Sequence, residues 1–426
     1  MPDSSTIPET SAEVAPFLAL RYRDFRLFQA GQLLSTIGLQ MQAVAVGWQV
    51  YAITGQALDL GYVGLSLFAP SLLFAAVTGQ AADRFERRRL LTACHVLLLI
   101  ASLLLYAVAE LSRSTFAIYS ILVLIGTARA FGSPTSQALM PNLVPLHAFP
   151  NAVAWSSTTW QIGTVAGPAL GGLLYAAAGA GGVYGCTAVL ELVTVCVLFS
   201  IHARSTPNRT RTTPRELSAG LRFVWQQPVI FGAISLDLFA VLFGGAVALL
   251  PIYARDILQT GPQGLGWMRS APAIGALVVA LWLAYKPTLR RSGVTMFACV
   301  ALFGLATIVF AVSKSLALSI AALALSGAAD MVSVFIRHSL VQLRTPDAMR
   351  GRVAAVNMIF IGASNELGEF ESGVVAQWLG TVEAVVAGGI ATCIVVLLWA
   401  AWFPSLRKID RLDTIEPPPE QQTQPA

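Results

Sequence analysis

Twelve separate stretches of this chain are each apolar over about the length that a helix needs to cross a bilayer, and no water-soluble fold accommodates that many. They fall at about 27–54, 59–82, 89–110, 115–140, 151–177, 182–203, 229–254, 264–285, 293–312, 315–340, 353–378 and 382–403. Crossing ~30 Å of hydrocarbon takes ~20 residues of helix. Inside hydrocarbon each backbone N–H and C=O must be satisfied within the segment, so runs of this kind predict helices. Composition agrees: 56% of the residues are hydrophobic and 12% charged, where a soluble domain carries about 25% charged. The expected fold is an all-α membrane protein with 12 transmembrane helices.

An even number of crossings puts both termini on one side, and the charges say which. With the termini inside, inner loops and tails hold 21 Lys and Arg, and outer loops hold only Arg113, Arg255 and Lys314. Arg129, Arg269 and Arg337 remain inside helices. The positive-inside rule therefore makes both termini cytoplasmic. The net charge of +5 is then a topology signal, with contact to anionic lipid as a second consequence, and not a nucleic-acid footprint. The start, "MPDSSTIPETSAEVAP", is polar and lacks the basic opening of a signal peptide; the end, "DTIEPPPEQQTQPA", is a Pro/Gln-rich tail.

The polar, basic stretch 203–228 divides the runs into two sets of six. Sliding the second set back by about 201–202 residues brings Pro272 onto Pro70, Arg290–Arg291 onto Arg88–Arg89 and Gly327 onto Gly126. The same shift brings Pro346 onto Pro145, and Gly368 and Gly373 onto Gly167 and Gly172. One shared register through four helices is the mark of an internal duplication. The expected organisation is a tail over 1–24, a six-helix bundle over 25–203, a linker over 204–228, a second bundle over 229–404 and a tail over 405–426. Duplicated halves of this kind commonly hold a substrate site between them at mid-membrane.

Several function classes drop out. Five cysteines lie in apolar runs without CxxC spacing, and four histidines form no HExxH, so neither a disulfide framework nor a metal site is expected. Gly-Lys occurs nowhere, which removes a Walker A loop and with it ATP. No nucleophile–base cluster argues for an enzyme, and no cofactor is implied.

The loop "GQAADRFERRR" (79–89) resembles the signature loop of the major facilitator superfamily, with Gly79, Asp83, Arg84, Arg87 and Arg88 at the matching positions. The resemblance implies two pseudo-symmetric six-helix bundles that alternate in access, with this loop as a conformational latch at the cytoplasmic face. The second-half copy, "AYKPTLRRSG", has Tyr285 in place of the acid. "GTVAGPALGG" in helix 5 (Gly163, Gly167, Pro168, Gly171, Gly172) resembles the motif of the antiporter branch. Physically, the glycines at four-residue spacing allow close helix contact and Pro168 permits a bend; plain close packing is the other reading. Over residues 20–405, "FRLFQAGQLLSTIG", "ADRFERR" and "TPDAMRGRV" look like the bacterial enterobactin-exporter-like subgroup, which implies an inner-membrane exporter.

Buried charge supplies the candidate site. Each mid-membrane acid costs roughly 2.5–3.5 kcal/mol on insertion scales, yet "SNELGEFESG" (364–373) carries Glu366, Glu369 and Glu371. Glu366 and Glu369 are expected on one helix face as proton carriers, with Asp237 and Asp330 as further candidates; Glu371 points elsewhere. By resemblance helices 1, 4, 7 and 10 line the cavity, which puts Arg129, Asp237 and Asp330 there. Arg337, two turns after Asp330, is expected to pair with Asp237. Glu191 is expected to be structural, since resemblance puts its helix, the sixth, on the exterior of its bundle. Trp48, Gln49 and Tyr51 of helix 1 with Trp160 and Gln161 of helix 5 are expected to build an aromatic, amide-rich cavity wall, ordinary packing being the alternative for each. Together these imply a monomeric, proton-coupled exporter of a small amphipathic molecule, a siderophore or drug-like compound. A proton-coupled uptake symporter and a non-transporting receptor or scaffold are the alternatives.

Overall fold

The computed structural model describes residues 17–112, 114–203, 214–285 and 290–411 and is helical almost throughout. Most of both expected tails, residues 204–213 of the linker and Arg113 therefore lie outside the described residues. The first crossing helices are α1 (Arg23–Thr54), α2 (Ala57–Arg84), α3 (Arg87–Leu111) and α4 (Thr115–Leu139). A single helical run, Phe149–Phe199, contains the next two, α5 (149–178) and α6 (180–199), reversed at Gly179. The second half holds α7 (Pro228–Gly244), α8 (Gly261–Tyr285), α9 (Ser292–Val312), α10 (Leu316–Arg344), α11 (Asp347–Leu379) and α12 (Thr381–Trp402). All twelve apolar runs are found in these helices.

Two expectations change in detail. The seventh run is shorter than expected as a regular helix: α7 stops at Gly244, and 3-10 turns and a π-turn carry the chain through Ala246–Leu249 and Tyr253–Ile257. Consecutive glycines, Gly244 and Gly245, weaken a helix by backbone entropy. The linker is likewise more than a polar loop. Pro214–Gln226 forms an amphipathic helix whose Val224 is buried with Ile230, Val353 and Val356 against the start of α11. A Cβ on its Gly220 would lie 2.8 Å from the Arg352 carbonyl oxygen. The i, i+3, i+4 spacing of Gly220, Phe223 and Val224 is the legible signal for that buried face.

The duplication is visible as recurring contacts. Gly126 of α4 packs against Leu67 and Pro70 of α2, and Gly327 of α10 packs against Pro272 of α8. Gly167 of α5 faces Ile37 and Gln40 of α1; Gly368 of α11 faces Val241 and Leu242 of α7. The α5–α6 and α11–α12 reversals both turn on a glycine in the left-handed region, Gly179 (φ 66°) and Gly380 (φ 99°), where a side chain would be strained.

The two halves meet chiefly along α2–α11 and α5–α8, towards the end of the molecule remote from the basic clusters. There a single apolar cluster draws on both halves, with Val44, Tyr51 and Leu60 beside Leu249, Tyr253, Leu265 and Met268. At the Arg-rich end each half keeps its own clusters, Phe25, Phe28 and Leu198 in one and Met296, Leu340 and Trp399 in the other. Among the described residues, buried apolar clusters join the halves at the far end and stay within one half at the Arg-rich end.

That seal depends on backbone approach. A Cβ on Gly172 would lie 2.5 Å from the Pro262 carbonyl oxygen and 3.0 Å from the Gly266 Cα. Gly266→Val is therefore expected to wedge α5 from α8 and populate a form open at the far end. Spin labels on exposed Ala176 and Gln263 should report a longer distance than in the parent protein. An unchanged distance would show that this seam does not govern closure.

Candidate functional site

The polarity of α11 is gathered into one place. Glu366 and Glu369, three residues apart, share a helix face. Arg129 of α4 and Arg269 of α8 lie within electrostatic reach of both carboxylates. Two guanidiniums and two carboxylates thus form a quartet, with Arg129 from the first half and the others from the second. Among the described residues none of the four makes a direct hydrogen bond or an ion pair within 4.0 Å. Arg129 is exposed and the other three are partly exposed, so the quartet borders open space and not packed core. With both acids ionised its formal charge is zero, and each proton bound adds one positive charge.

Glu369 also lies inside the far-end seam. A Cβ on Gly64 of α2 would sit 2.9 Å from its Oε2 and 3.0 Å from its Cβ. The missing side chain at Gly64 makes room for the carboxylate where α2 crosses α11. One turn further on, Gly373 packs on Gly61 with 2.9 Å from the built Cβ to the Gly61 Cα. Glu369 thus sits at the contact between the two halves. Glu371 is partly buried on a different side of α11. Asp330 is partly exposed on α10, three residues after the Gly327–Pro272 contact.

The expected Asp237–Arg337 ion pair is present and joins α7 to α10. Both side chains are buried, so Arg337 does not line open space and Asp237 is committed to a partner within its own half. Glu191 is fully buried within its own bundle; its Oε1 accepts from Ser35 Oγ at 2.6 Å and its Oε2 meets His95 Nδ1 at 2.9 Å. Three helices, α1, α3 and α6, are tied there by one carboxylate, and His95 carried no motif that marked it beforehand.

The expected aromatic wall divides. Gln49 is buried inside the first half, where its Oε1 accepts from Tyr184 Oη at 2.6 Å. Tyr51 belongs to the far-end seal: its hydroxyl donates to Asp256, and Arg255 Nη1 donates to its carbonyl oxygen at 3.1 Å. The same guanidinium lies over the Tyr51 ring, 5.4 Å from the centroid. Trp48 packs on the same far-end cluster and edge-on to Tyr175. Positions 48 and 51, three residues apart, share a helix face, whereas position 49 is turned 100° from 48, so one wall could not hold all three. Gln161 bridges the halves through Nε2 to the Ala273 carbonyl oxygen at 2.7 Å, and Trp160 stays 59% exposed. Asp256 was missed because it is one polar residue in a loop.

The glycine motif of α5 is a packing surface. Gly163 and Gly171 face Thr36 and Met41 of α1, as Gly167 faces Gln40, while Gly172 faces α8. The helix continues through Pro168, with non-helical angles only at Gly179. In the latch loop Gly79 falls within α2, the Asp83 side chain lies outside the described residues, and Arg84 is exposed. Arg87 Nη1 donates to the Ala138 carbonyl oxygen at 2.9 Å and Arg88 Nη1 to that of Ile201 at 2.5 Å, which ties the start of α3 to the ends of α4 and α6. In the second half the N–H groups of Ser292 and Gly293 donate to the carbonyl oxygens of Asp410 and Ile409, so the chain after α12 holds the corresponding corner.

A family profile described as transmembrane secretion effector matches residues 13–424. The enterobactin exporter EntS of Shigella boydii serotype 18 is 28% identical over 331 residues, covering 77% of this chain and 79% of that protein; EntS of Escherichia coli O1:K1 / APEC matches to the same extent. Among solved structures, a bacterial homologue of the iron transporter ferroportin in an inward-facing state superposes with a TM-score of 0.68 at 16% identity, covering 91% of this chain and 99% of that one. A POT family transporter in complex with 5-aminolevulinic acid gives 0.70 at 12% identity over 90% and 96%. At these identities the structures speak for the fold.

Proposed function

This chain belongs to the transmembrane secretion effector family of major facilitator transporters, and from that membership we propose that it exports a small amphipathic molecule in exchange for protons, with the α4–α8–α11 quartet as the coupling site. It is a multi-pass membrane transporter and not an enzyme. The observation that carries the finer reading is the quartet itself: two carboxylates facing guanidiniums from opposite halves across open space, with no direct pairing. Such carboxylates can hold a proton in one conformation and an electrostatic partner in the other.

In this reading the Arg-rich end faces the cytoplasm of a bacterial inner membrane, both termini are cytoplasmic, and the conformation described is inward-facing. Substrate enters from the cytoplasm while the acids are ionised against Arg129 and Arg269. Opening the far end parts α2 from α11 and brings Glu369 into contact with the outer proton reservoir. Protonation there weakens the hold on a substrate that donates to the same carboxylates, so release and proton uptake go together. Asp330 stands close by in sequence depth as a further carrier, and the transporter works as a monomer. The siderophore class enters through the two exporters that share 28% of their aligned sequence with this chain; drug-like amphipathic compounds are the other class.

The test uses inside-out vesicles with an acid interior and a pH-sensitive dye. Catecholate siderophores, hydroxamate siderophores and cationic drugs are added separately. Collapse of the gradient with one class, absent from vesicles lacking the protein, is the expected result. Silence with every class in vesicles that hold their gradient would overturn proton-coupled export of these compounds.

A further inference from the structure

The outer side of the second half carries a file of aromatic rings at its Arg-rich end. Trp225 of the linker helix meets Phe231 of α7 with ring centroids 4.8 Å apart, and Phe231 meets Phe403, just past α12, at 6.0 Å. Phe403 in turn lies 6.1 Å from Trp399, which lies 5.5 Å from Trp402. The middle of the file is fixed: Trp399 Nε1 donates to Ser235 Oγ at 2.9 Å, and a Cβ on Gly232 would lie 2.8 Å from the Phe403 ring. Its two ends are open, with Trp225 68% and Trp402 65% exposed.

Exposed cations lie close in sequence to both ends of the file. Arg222 precedes Trp225 by one turn on the linker helix, and Arg407 and Lys408 follow Phe403 by four and five residues. The nearest acid in sequence, Asp410, is turned away to the α9 corner, where its Oδ1 accepts from the Arg291 N–H at 3.0 Å. Fixed rings with exposed tryptophans at the ends of membrane helices suit the boundary between headgroups and acyl chains. Bases clustered at that level suit a lipid phosphate.

We propose that this patch binds an anionic phospholipid of the inner leaflet. Its phosphate lies among Arg222, Arg407 and Lys408, and an acyl chain runs along Trp225 and Trp402. The charge complementarity names the occupant, because a zwitterionic lipid would satisfy the rings and leave the three cations without a net partner. Each base near an anionic surface contributes about 1 kcal/mol, about fivefold in affinity, so three give a preference on the order of 100-fold. The site also bears on transport, since the linker helix that supplies Arg222 and Trp225 rests on the first turns of α11, the helix of Glu366 and Glu369.

Native mass spectrometry of the full chain in detergent, titrated with phosphatidylglycerol or phosphatidylcholine, tests this. The parent protein is expected to retain one phosphatidylglycerol tightly. Combined Arg222→Gln, Arg407→Gln and Lys408→Gln should weaken it on the order of 100-fold, with phosphatidylcholine binding unchanged. A control removes Arg21, Arg26 and Arg89, exposed bases of the other half, and should keep the tight lipid. Equal weakening in the control would mean bulk attraction and overturn the site, as would tight binding that survives in the triple variant. If the triple variant does not fold, Arg222→Gln alone decides with its expected loss of about fivefold.

Discussion

Glu366→Gln is expected to abolish gradient-driven transport while leaving a folded protein that still exchanges substrate across the membrane. The substitution keeps the shape of the side chain and removes its ability to bind and release a proton. Glu366 has no direct ion pair to lose, and it is partly exposed, so the structural cost is small. Glu369 remains to face Arg129 and Arg269, which keeps the quartet from holding two uncompensated guanidiniums. One pH unit across the membrane drives about 1.4 kcal/mol per proton, a factor of about ten in the substrate ratio at equilibrium. In proteoliposomes the parent should therefore accumulate substrate about tenfold per pH unit for each coupled proton. The variant should stop at equal concentrations on both sides while counterflow at zero gradient persists. Accumulation that still follows the imposed gradient would move the proton to Asp330 or Glu369.

The division of that quartet between the halves was only partly legible beforehand. Hydropathy reached the helices of the described residues because every spanning segment answers to one constraint, satisfaction of its own backbone in lipid. The repeat register was legible for a related reason. Glycines such as Gly126, Gly167 and Gly172 have counterparts where two backbones touch at the corresponding contact in the other half, and close approach tolerates nothing larger. Periodicity also put Glu366 and Glu369 on one face. It could not say that Arg269, placed near the outer end of its helix, would reach them, since that depends on how α8 crosses α11.

Rotation about a helix axis was the harder quantity. Glu191 is buried with Ser35 and His95, partners that no motif marked, because an acid in a membrane helix turns to whatever polar partners the neighbouring helices offer. Gln49 turned inward to Tyr184 for the same reason. Tyr51 went to the seal because its partner, Asp256, comes from an irregular segment that hydropathy counts as the end of a span. Lone loop acids carry no periodic signal. The Asp237–Arg337 pair was legible because two opposite charges at similar depth in apolar helices have few other ways to be neutralised.

That pair sets up a large stability effect. Removing one partner of a buried ion pair costs about 3–5 kcal/mol, since the charge left behind is uncompensated. The two single changes are not equivalent. Arg337 cannot shed its charge, whereas a carboxyl left alone can bind a proton. The Arg337 Nε already lacks a hydrogen-bond partner, so Asp237→Asn leaves a guanidinium with nothing to turn to. Asp237→Asn should therefore lower the unfolding temperature more than Arg337→Gln. The double variant, with no charge at either site, should recover at least about 2 kcal/mol relative to the sum of the singles, within the usual range for residues in contact. Thermal unfolding of the purified protein, followed through the apparent transition temperature of each of the four proteins, measures the cycle. Additive losses would mean that the two charges are neutralised independently, and α7 and α10 would then be braced by packing alone. A positive coupling would identify the pair as the brace that fixes the rotation of α10 against α7.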